Sequence, residues 1–558
     1  MAWYDESNFY HIYPLGMCGA PFENKYEEPV HRLRNLFPWI DHIKNIGCNA
    51  IYIGPLFESV GHGYETTDYR KLDSRLGTND DLKEFVRLCH EKGIRVIFDG
   101  VFNHVGRDFF AFKDLKNNRE NSPYKDWFCN VNFWGNNEYN DGFSYDNWGG
   151  YNLLVKLNQY HPDVRNYLCD VIRFWVSEFD VDGIRLDAAD VLAFDFMKAL
   201  RQLANEVKPD FWLMGEVIHG DYTRWVNEGT LHSVTNYHLH KALFSGHNDH
   251  NFFEIAHTVK RLYGMGGNRP EGLKLYNFVD NHDVERIYTK LSNKAHFYPV
   301  HILMYTLPGI PSIYYGSEFA IEGKKEKWSD ASLRPCLNFE EYENARKENP
   351  YMQFVKALGE IRLAEPAFSY GDYNEVMLTN RQYAYSRNWN GRSVLVTVNN
   401  DDNHAHFDIP VGSAPKYYGA LSKQIVSVNN GRISVDVPGN YGEIWLPLQD
   451  GEEIPEKVEP VVMEESKQSD TADIEEISVE EKDSTKEKAP SETPIEQSAP
   501  SSDETALKNA FEEGKIAGLQ KAIIAIMEKN GYVTDQMRRD VYNNTHHDSL
   551  VNWVKSFR

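Results

Sequence analysis

Cysteine is scarce in this sequence, with six widely spaced residues in 558 and no Cys-x-x-Cys pair. This spacing favours free buried thiols in a reducing compartment over a disulfide framework. Long apolar runs are also missing, since no stretch approaches the ~20 residues that a membrane helix needs. The opening MAWYDESNFYHIYPLG carries acidic side chains where a signal peptide would have a basic and then an apolar region. These absences predict a cytoplasmic protein with no membrane partner.

Positive charge is in deficit as well. The formal net charge is -24, which argues against nucleic acid and anionic membranes as partners, because both require a basic face. Much of the excess lies in residues 450–503, which contain eighteen Asp or Glu residues against five Lys. The chain is nonetheless 41% hydrophobic, and its length predicts two to four domains.

Eight short apolar runs alternate with amphipathic stretches such as DDLKEFVRLCHEKG over residues 1–370. Repeated strand-helix units predict a parallel sheet, and eight units close a (β/α)8 TIM barrel of the α/β class. The runs are NFYHIYPL, NAIYIGPLF, IRVIFDGVF, VDGIRLDAA, FWLMGEV, HSVTNYHL, KLYNFVDNHD and IPSIYYGSE.

Four further segments depart from this pattern. Residues 105–160, rich in Asn, Trp, Tyr and Gly, predict an inserted subdomain that walls one side of the barrel mouth. Short alternating strands with polar turns predict an antiparallel C-terminal sandwich over 371–449. Residues 450–503 predict a disordered acidic linker. An apolar helical stripe in 504–558 predicts a tail that self-associates or docks onto a protein partner; the alternative is a hairpin folded back on the chain.

The stretch DGIRLDAAD ends the fourth run with an Arg and an Asp two positions apart. Arg185 and Asp187 would share one face of a strand, and an adjacent Arg holds an Asp ionised, as a nucleophilic carboxylate requires. The alternative is a structural salt bridge at a strand end.

Three other runs end in ionisable residues. The third ends in DGVFNH (residues 99–104), the fifth presents Glu216, and the seventh presents His282 and Asp283. Any one of these is explained by a strand-end cap. Four sets of ionisable residues at the carboxyl-terminal face of one barrel indicate a catalytic site, because barrel active sites are built on that face.

These segments resemble the conserved regions of glycoside hydrolase family 13, the α-amylase family, over roughly residues 1–448. KLN (156–158) and HGYETTDY (62–69) extend the resemblance. The stretch from KLN into NQYHPDVRNYLCDVIRFWVSEFDVDG is most similar to the cyclomaltodextrinase, neopullulanase and maltogenic amylase branch. That branch usually carries an N-terminal carbohydrate-binding domain used in dimerisation. None precedes this barrel, so any dimer is expected to use the helical tail.

The resemblance implies that Asp187 is the nucleophile, Glu216 the general acid/base and Asp283 a third carboxylate that stabilises the transition state. Retaining glycoside hydrolysis needs one ionised carboxylate and one protonated carboxyl, about 5 Å apart. Arg185 would keep Asp187 charged. Burial beside that charge would raise the pKa of Glu216 and keep it protonated.

The resemblance also implies residues that contact the sugar next to the cleaved bond. His104 and His282 would hydrogen-bond its hydroxyls, Tyr64 would stack on it, and Asp68 and Arg334 are further candidates. Outside such motifs, a His at a strand end is more often structural.

Several positions depart from the family pattern. Asp190 and Val191 match neither α-amylases nor the neopullulanase branch, and Ile218 replaces an aromatic residue that this branch often carries. These positions leave cleavage and transfer preference open. Asn103 matches a calcium ligand of many α-amylases, although Val191 does not supply the usual context. No cofactor is expected to be required, with calcium as an open alternative.

The leading hypothesis is a retaining hydrolase of α-1,4-glucosidic bonds, acting on maltooligosaccharides or cyclodextrins through a covalent glycosyl-enzyme intermediate. One alternative is a transglycosylase, or a family member that acts on α-1,6 linkages, sucrose or trehalose. An alternative of another class is a non-catalytic carbohydrate-binding scaffold.

Overall fold

Eight parallel strands form a closed barrel in the computed structural model. Their spatial order is β6-β5-β4-β3-β2-β1-β8-β7, and a parallel bridge between Thr235 and Tyr276 joins the two ends. Each predicted run contains one strand, so the predicted barrel is confirmed. The strands are β1 Phe9–Ile12, β2 Ala50–Ile53, β3 Arg95–Gly100, β4 Gly183–Leu186, β5 Trp212–Gly215, β6 Ser233–Val234, β7 Tyr276–Phe278 and β8 Ile310–Tyr314.

The barrel strands are apolar because the interior and the helix layer bury both of their faces. Phe9, Ile97, Trp212 and Phe278, from β1, β3, β5 and β7, belong to one cluster of buried residues. Gly183 lets β4 approach β5 closely, since a Cβ at this position would lie 2.5 Å from the Trp212 carbonyl oxygen.

Helices cover the outside of the barrel, and amphipathic ones among them turn an apolar stripe inward. In Asn79–Glu91, for example, Leu82, Phe85 and Val86 are buried, and Thr78 and Asp81 form a capping box at the start. The α-helices are Pro14–Met17, Trp39–Asn45, Asn79–Glu91, Phe110–Asn118, Pro162–Phe179, Phe194–Val207, Tyr237–Asn248, Phe252–Gly264, Ile287–Lys290, Phe297–Thr306, Ala345–Glu348, Pro350–Ala364 and Ala367–Tyr370.

Two small sheets rise from the carboxyl-terminal side of the barrel. Phe57–Ser59 pairs with Thr66–Leu72 in the loop after β2. After β3, Tyr151–Lys156 pairs on one side with His104–Gly106 and on the other with Asn147–Trp148. The second sheet begins within the DGVFNH segment, so the segment after β3 is ordered and adjoins the mouth of the barrel.

An antiparallel sheet follows the barrel, as predicted. Its six strands lie in the spatial order β9-β10-β11-β14-β12-β13, and a separate two-stranded ribbon faces it across a small core that includes Phe407, Ile433 and Trp445. The sheet strands are β9 Asn374–Leu378, β10 Gln382–Trp389, β11 Arg392–Asn399, β12 Lys416–Gly419, β13 Ile425–Ser427 and β14 Tyr441–Leu448, and the ribbon strands are Ala405–Pro410 and Arg432–Val437.

The structure describes residues 2–327, 329–449 and 451–452. The predicted acidic linker, apart from residues 451 and 452, and the predicted helical tail lie outside these residues. All six cysteines lie within them as free thiols: three are buried, Cys129 and Cys169 are half-buried, and Cys336 is exposed. Within the same residues, no helix is long and apolar enough to cross a bilayer.

Candidate active site

The site is built where β3, β4 and β5 end side by side. Asp99 on β3 and Arg185 on β4 are directly opposite each other in the register, as are Leu186 on β4 and Gly215 on β5. Asp187 and Glu216 are the next residues along their strands. Parallel pairing therefore brings these ionisable side chains to one edge of the barrel.

The Arg185 guanidinium connects three carboxylates. Its Nη1 donates to Asp99 Oδ1 at 2.8 Å and to Asp187 Oδ1 at 3.0 Å, and its Nη2 lies 2.8 Å from Glu216 Oε2. The predicted juxtaposition of Arg185 and Asp187 is thus observed. The same guanidinium also contacts Asp99 and Glu216, because the register between the strands places both of them beside it.

Burial dominates the protonation of the two central carboxyls. It raises the pKa of Asp187 well above its ordinary range, while Arg185 acts in the opposite direction. Burial also raises the pKa of Glu216, again opposed by Arg185. The sequence-based expectation of a raised pKa for Glu216 agrees with this direction. The expectation that Arg185 keeps Asp187 ionised does not agree, since one shared guanidinium does not offset burial beside other carboxylates. Because the charge of Glu216 also raises the pKa of Asp187, the protonation of one carboxyl affects the other.

Local backbone geometry fixes Glu216 against Asp187. Glu216 Oε2 accepts a 3.0 Å hydrogen bond from the backbone N–H of Ala188, the residue that follows Asp187. Ala188 adopts the left-handed region, with φ of 46°, and so turns the chain sharply out of β4. The other oxygen, Oε1, receives a longer contact of 3.4 Å from the Tyr237 hydroxyl.

Asp283 lies beyond β7 on a more open side of the site, with its side chain 34% exposed. Its Oδ1 is 2.9 Å from Arg334 Nη2, and its Oδ2 is 3.1 Å from His282 Nε2. Arg334 also donates from Nε to the His282 carbonyl oxygen at 3.0 Å. Asp283, His282 and Arg334 are therefore one hydrogen-bonded group, as their shared predicted subsite requires.

Tyr64 joins this group to the first. Its hydroxyl donates to Asp99 Oδ2 at 3.2 Å and contacts His282 Nε2, and the two rings stack with centroids 5.7 Å apart. Burial lowers the pKa of His282 well below its ordinary range, so this imidazole is neutral. Tyr64 and His282 lie where the sequence predicted them.

His104 also lies beside Asp187, with its Nε2 3.9 Å from Asp187 Oδ2. Burial lowers the pKa of His104 to about 3, and its Nε2 has no hydrogen-bond partner among the described residues. The ring of Trp148 approaches His104 with a centroid distance of 5.8 Å. His104 thus offers an unused polar atom beside the predicted nucleophile.

The structure does not bring Asp68 to the site. Consecutive strand residues face opposite sides, and Tyr69 is buried with its hydroxyl on the Val101 carbonyl oxygen. Asp68 is therefore exposed, and its carboxylate accepts a 2.8 Å hydrogen bond from the Arg70 backbone N–H.

A calcium site at Asn103 is not supported by the donor set. Its Oδ1 is buried without a partner among the described residues, which is one available oxygen. Calcium takes six to eight oxygen ligands. In the described part of the chain, no group of three or more His, Cys, Asp or Glu side chains is arranged to hold a metal ion. No chemical step is assigned to calcium.

Besides Tyr237, four residues of the site lie outside the sequence-based set. Asp99 bonds Arg185, Tyr52 donates to Asp99 Oδ2 at 2.8 Å, and Tyr13 stacks on His282 with a centroid distance of 5.8 Å. Trp148 lies on the inserted sheet. Asp99 stood inside the DGVFNH segment, so its strand-end position was a usable signal. The other three are aromatic residues among many, and no motif around them distinguishes them from core residues.

The positions that depart from the family pattern lie on the surface next to the site. Val191 and Ile218 are 47% and 39% exposed, and Asp190 is exposed as well. Each follows a catalytic candidate, Asp187 or Glu216, by two to four residues. They are accessible to whatever occupies the mouth of the barrel.

Comparisons with known proteins agree on one family. The model of the alpha amylase catalytic domain matches residues 22–357. A cyclomaltodextrinase from Bacillus sp. is 31% identical over 424 residues, covering 72% of this chain and 74% of the relative. An intracellular maltogenic amylase from Bacillus subtilis is 30% identical and covers 60% of this chain and 55% of the relative. A solved cyclomaltodextrinase structure superposes with a TM-score of 0.69 at 27% identity, covering 79% of this chain and 78% of that one.

Proposed function

The chain belongs to the α-amylase family of glycoside hydrolases, and we propose that it hydrolyses α-1,4-glucosidic bonds of maltooligosaccharides, cyclodextrins or related α-glucans. The observation that carries this proposal is the contact of one buried Arg185 with both Asp187 and Glu216. A retaining double displacement needs a nucleophilic carboxylate and a protonated carboxyl close together, and the shared guanidinium holds these two side by side.

In the first step, Asp187 attacks the anomeric carbon and forms a glycosyl ester. The bond from that carbon to the leaving oxygen breaks, and the proton of Glu216 goes to that oxygen. In the second step, Glu216 takes a proton from water, the water oxygen bonds to the anomeric carbon, and Asp187 leaves as a carboxylate. The configuration of the product is that of the substrate.

The productive form has one proton on the pair, carried by Glu216. Burial raises the pKa of both carboxyls, and Arg185 opposes it at both, donating to Asp187 Oδ1 at 3.0 Å and lying 2.8 Å from Glu216 Oε2. Glu216 has one oxygen, Oε1, with only the 3.4 Å contact from Tyr237. That oxygen is available to carry the proton toward the substrate.

The remaining groups position one sugar ring. Asp283 supplies a third negative charge for the oxocarbenium-like transition state, and Arg334 and His282 hold it in place. His104 Nε2 has no partner among the described residues and is placed to bond a hydroxyl, as is the polar edge formed by His282 and Asp283. The ring of Tyr64, 8% exposed, forms an apolar wall.

Product analysis tests this function. Wild-type protein is incubated in parallel with maltoheptaose, β-cyclodextrin, pullulan, starch, sucrose and trehalose, and the products are followed by chromatography. Short maltooligosaccharides from the first two substrates support the proposal. Products longer than the substrate identify a transglycosylase, and exclusive cleavage of α-1,6 bonds, sucrose or trehalose identifies a different linkage. If no α-glucoside is cleaved, the remaining hypothesis is the non-catalytic carbohydrate-binding scaffold.

The cellular location of the enzyme is part of the same proposal. The B. subtilis relative is named as intracellular, which supports a cytoplasmic enzyme that meets soluble α-glucan oligosaccharides. The steps above use protein side chains and water, and no cofactor is assigned to them. Self-association or a protein partner through residues 504–558 is tested by measuring particle size with and without these residues.

A further inference from the structure

A second cavity lies at the end of the barrel opposite the active site. It has a volume of about 250 Å³ and is lined by Trp212 and Ile310, the first residues of β5 and β8, and by Tyr4, which precedes β1. Asp187, Glu216 and Asp283 follow the last residues of their strands. Because all eight strands are parallel, the cavity and the catalytic carboxylates are at opposite ends.

Aromatic rings form one wall of this cavity. Tyr4 stacks on Trp212 with a centroid distance of 5.6 Å and an interplanar angle of 20°, and its ring lies 5.5 Å from that of His232. Tyr4 and His232 are partly exposed, whereas Trp212 is fully buried behind them. A flat apolar surface with polar edges is what the face of a sugar ring contacts.

Polar groups complete the cavity, and their charges balance. Arg201, Arg269 and Lys274 face three carboxylates. Lys274 is paired with Asp5 at 3.1 Å, whereas Glu228 and Glu271 make no salt bridge within 4 Å among the described residues. Balanced charge gives an anion no net attraction, and free carboxylates favour a ligand that donates hydrogen bonds.

Two nitrogens of this wall, one on Trp212 and one on His232, carry protons. The Trp212 Nε1–H is buried without a hydrogen-bond partner among the residues that the structure describes. His232 Nδ1 accepts from the Leu213 backbone N–H at 3.0 Å, so its proton lies on Nε2. Buried donors without a hydrogen-bond partner are rare in proteins, so such a group favours the binding of an acceptor. A sugar hydroxyl both donates and accepts.

From these observations, and resting on the proposed function, we propose that the cavity is a second binding site for glucosyl units of α-glucans. Its volume is below the ~300–1,000 Å³ typical of drug-sized ligands, which suits one or two sugar rings. Binding there retains a long glucan on the enzyme and raises its concentration near the catalytic end. Short substrates gain nothing, because they do not reach both ends of the barrel.

The test is isothermal titration calorimetry of the full chain carrying Glu216→Gln, with maltotriose as the probe. Two sites are expected. The cavity variants are Tyr4→Ala and, in case that change impairs folding, the isosteric pair Glu228→Gln/Glu271→Gln. Each should weaken one site at least tenfold and leave the other unchanged. The control pair Glu91→Gln/Glu206→Gln, exposed carboxylates on barrel helices, should retain both sites.

Activity in the wild-type background gives the second readout. Glu228→Gln/Glu271→Gln should lower the rate on amylose severalfold and keep the rate on a short aryl maltoside. A single maltotriose site at the catalytic end overturns the second site and leaves the proposed function standing. A second site that the cavity variants do not weaken, or that inorganic phosphate displaces, also overturns it. Absence of all binding contradicts both proposals.

Discussion

The Nη2 atom of Arg185 lies 2.8 Å from Oε2 of Glu216, although the two residues belong to different strands. The same guanidinium reaches Asp187 and Asp99 through Nη1. The proton on the catalytic pair is therefore controlled by a charge that both carboxyls share, and changes at Arg185 should alter the protonation of both.

Replacing Arg185 by Met should destabilise the fold and move the acid limb of the pH profile. Removing one partner of a buried ion pair costs about 3–5 kcal/mol in the free energy of unfolding. Arg185 lowers the pKa of Asp187, so its loss raises that pKa further and shifts the acid limb of kcat/KM to higher pH. Urea unfolding and pH-rate profiles measure the two effects. Arg173→Met, on an exposed helix face, is the control; an unchanged acid limb in an active Arg185 variant would refute the shared-charge account.

Glu216→Gln should lower kcat/KM on maltooligosaccharides about 10²–10⁴-fold, because the leaving oxygen no longer receives a proton. Burial raises the pKa of Glu216, and an acid is active only below its pKa, so wild-type activity falls as pH rises through that value. The variant should lack this basic limb. An aryl maltoside with an acidic phenol should be cleaved much closer to the wild-type rate. An equal loss on both substrates, with the basic limb retained, would show that Glu216 is not the acid.

Trp148→Ala tests whether the inserted sheet contributes to substrate binding. The Trp148 ring is 41% exposed and lies 5.8 Å from the ring of His104. Loss of an aromatic contact worth about 0.5–1.5 kcal/mol should raise KM for maltoheptaose about 2–10-fold and leave kcat nearly unchanged. Trp134→Ala is the matched control, since Trp134 lies in the same insertion and is 97% exposed. Equal KM values for the two variants would exclude a specific role for Trp148.

Asp182 opens the DGIRLDAAD stretch and supports β4 from its amino-terminal end. Burial pushes the pKa of Asp182 upward, but bonds from His90 and the Val96 N–H and the charge of Lys208 outweigh it, giving about 2. The folded pKa is below the unfolded value, so this stabilisation is present above about pH 4 and is lost as pH falls through about 2.

Asp182→Asn should therefore lower the free energy of unfolding by about 2–3 kcal/mol at pH 7. The difference from wild type should shrink between pH 4 and pH 2. Urea unfolding at pH 7, 4 and 3 measures it. A difference that is constant across these pH values would mean that the charge of Asp182 contributes nothing.

The barrel was predictable because its eight apolar runs are separated by amphipathic stretches, and each run contains a strand. The pairing of Arg185 with Asp187 followed from the two-residue period of a strand. The contacts of Arg185 with Asp99 and Glu216 depend instead on the register between neighbouring strands, which a single sequence does not specify. Asp68 was placed wrongly because the side that a strand residue faces depends on which neighbour is buried, here Tyr69.

The shortest strands of the C-terminal sheet could not be located from the sequence, for a related reason. β12 and β13 have four and three residues, too few to display a period, and their pairing with β14 and with each other holds them in the sheet. Tyr13 and Trp148 were equally hidden, because a sequence with 13% aromatic residues gives no means of separating those that line a site from those that fill a core.

The most direct test of the central claim compares Asp187→Asn with Asp190→Asn, two removals of a negative charge three residues apart. Asp187 is buried against Arg185, and Asp190 is exposed on the adjoining surface. Initial rates on maltoheptaose should fall about 10⁴-fold or more for Asp187→Asn, because no carboxylate remains to form the glycosyl ester, and stay within a few-fold of wild type for Asp190→Asn. Hydrolysis by a folded Asp187→Asn protein at a rate near that of wild type would contradict the account.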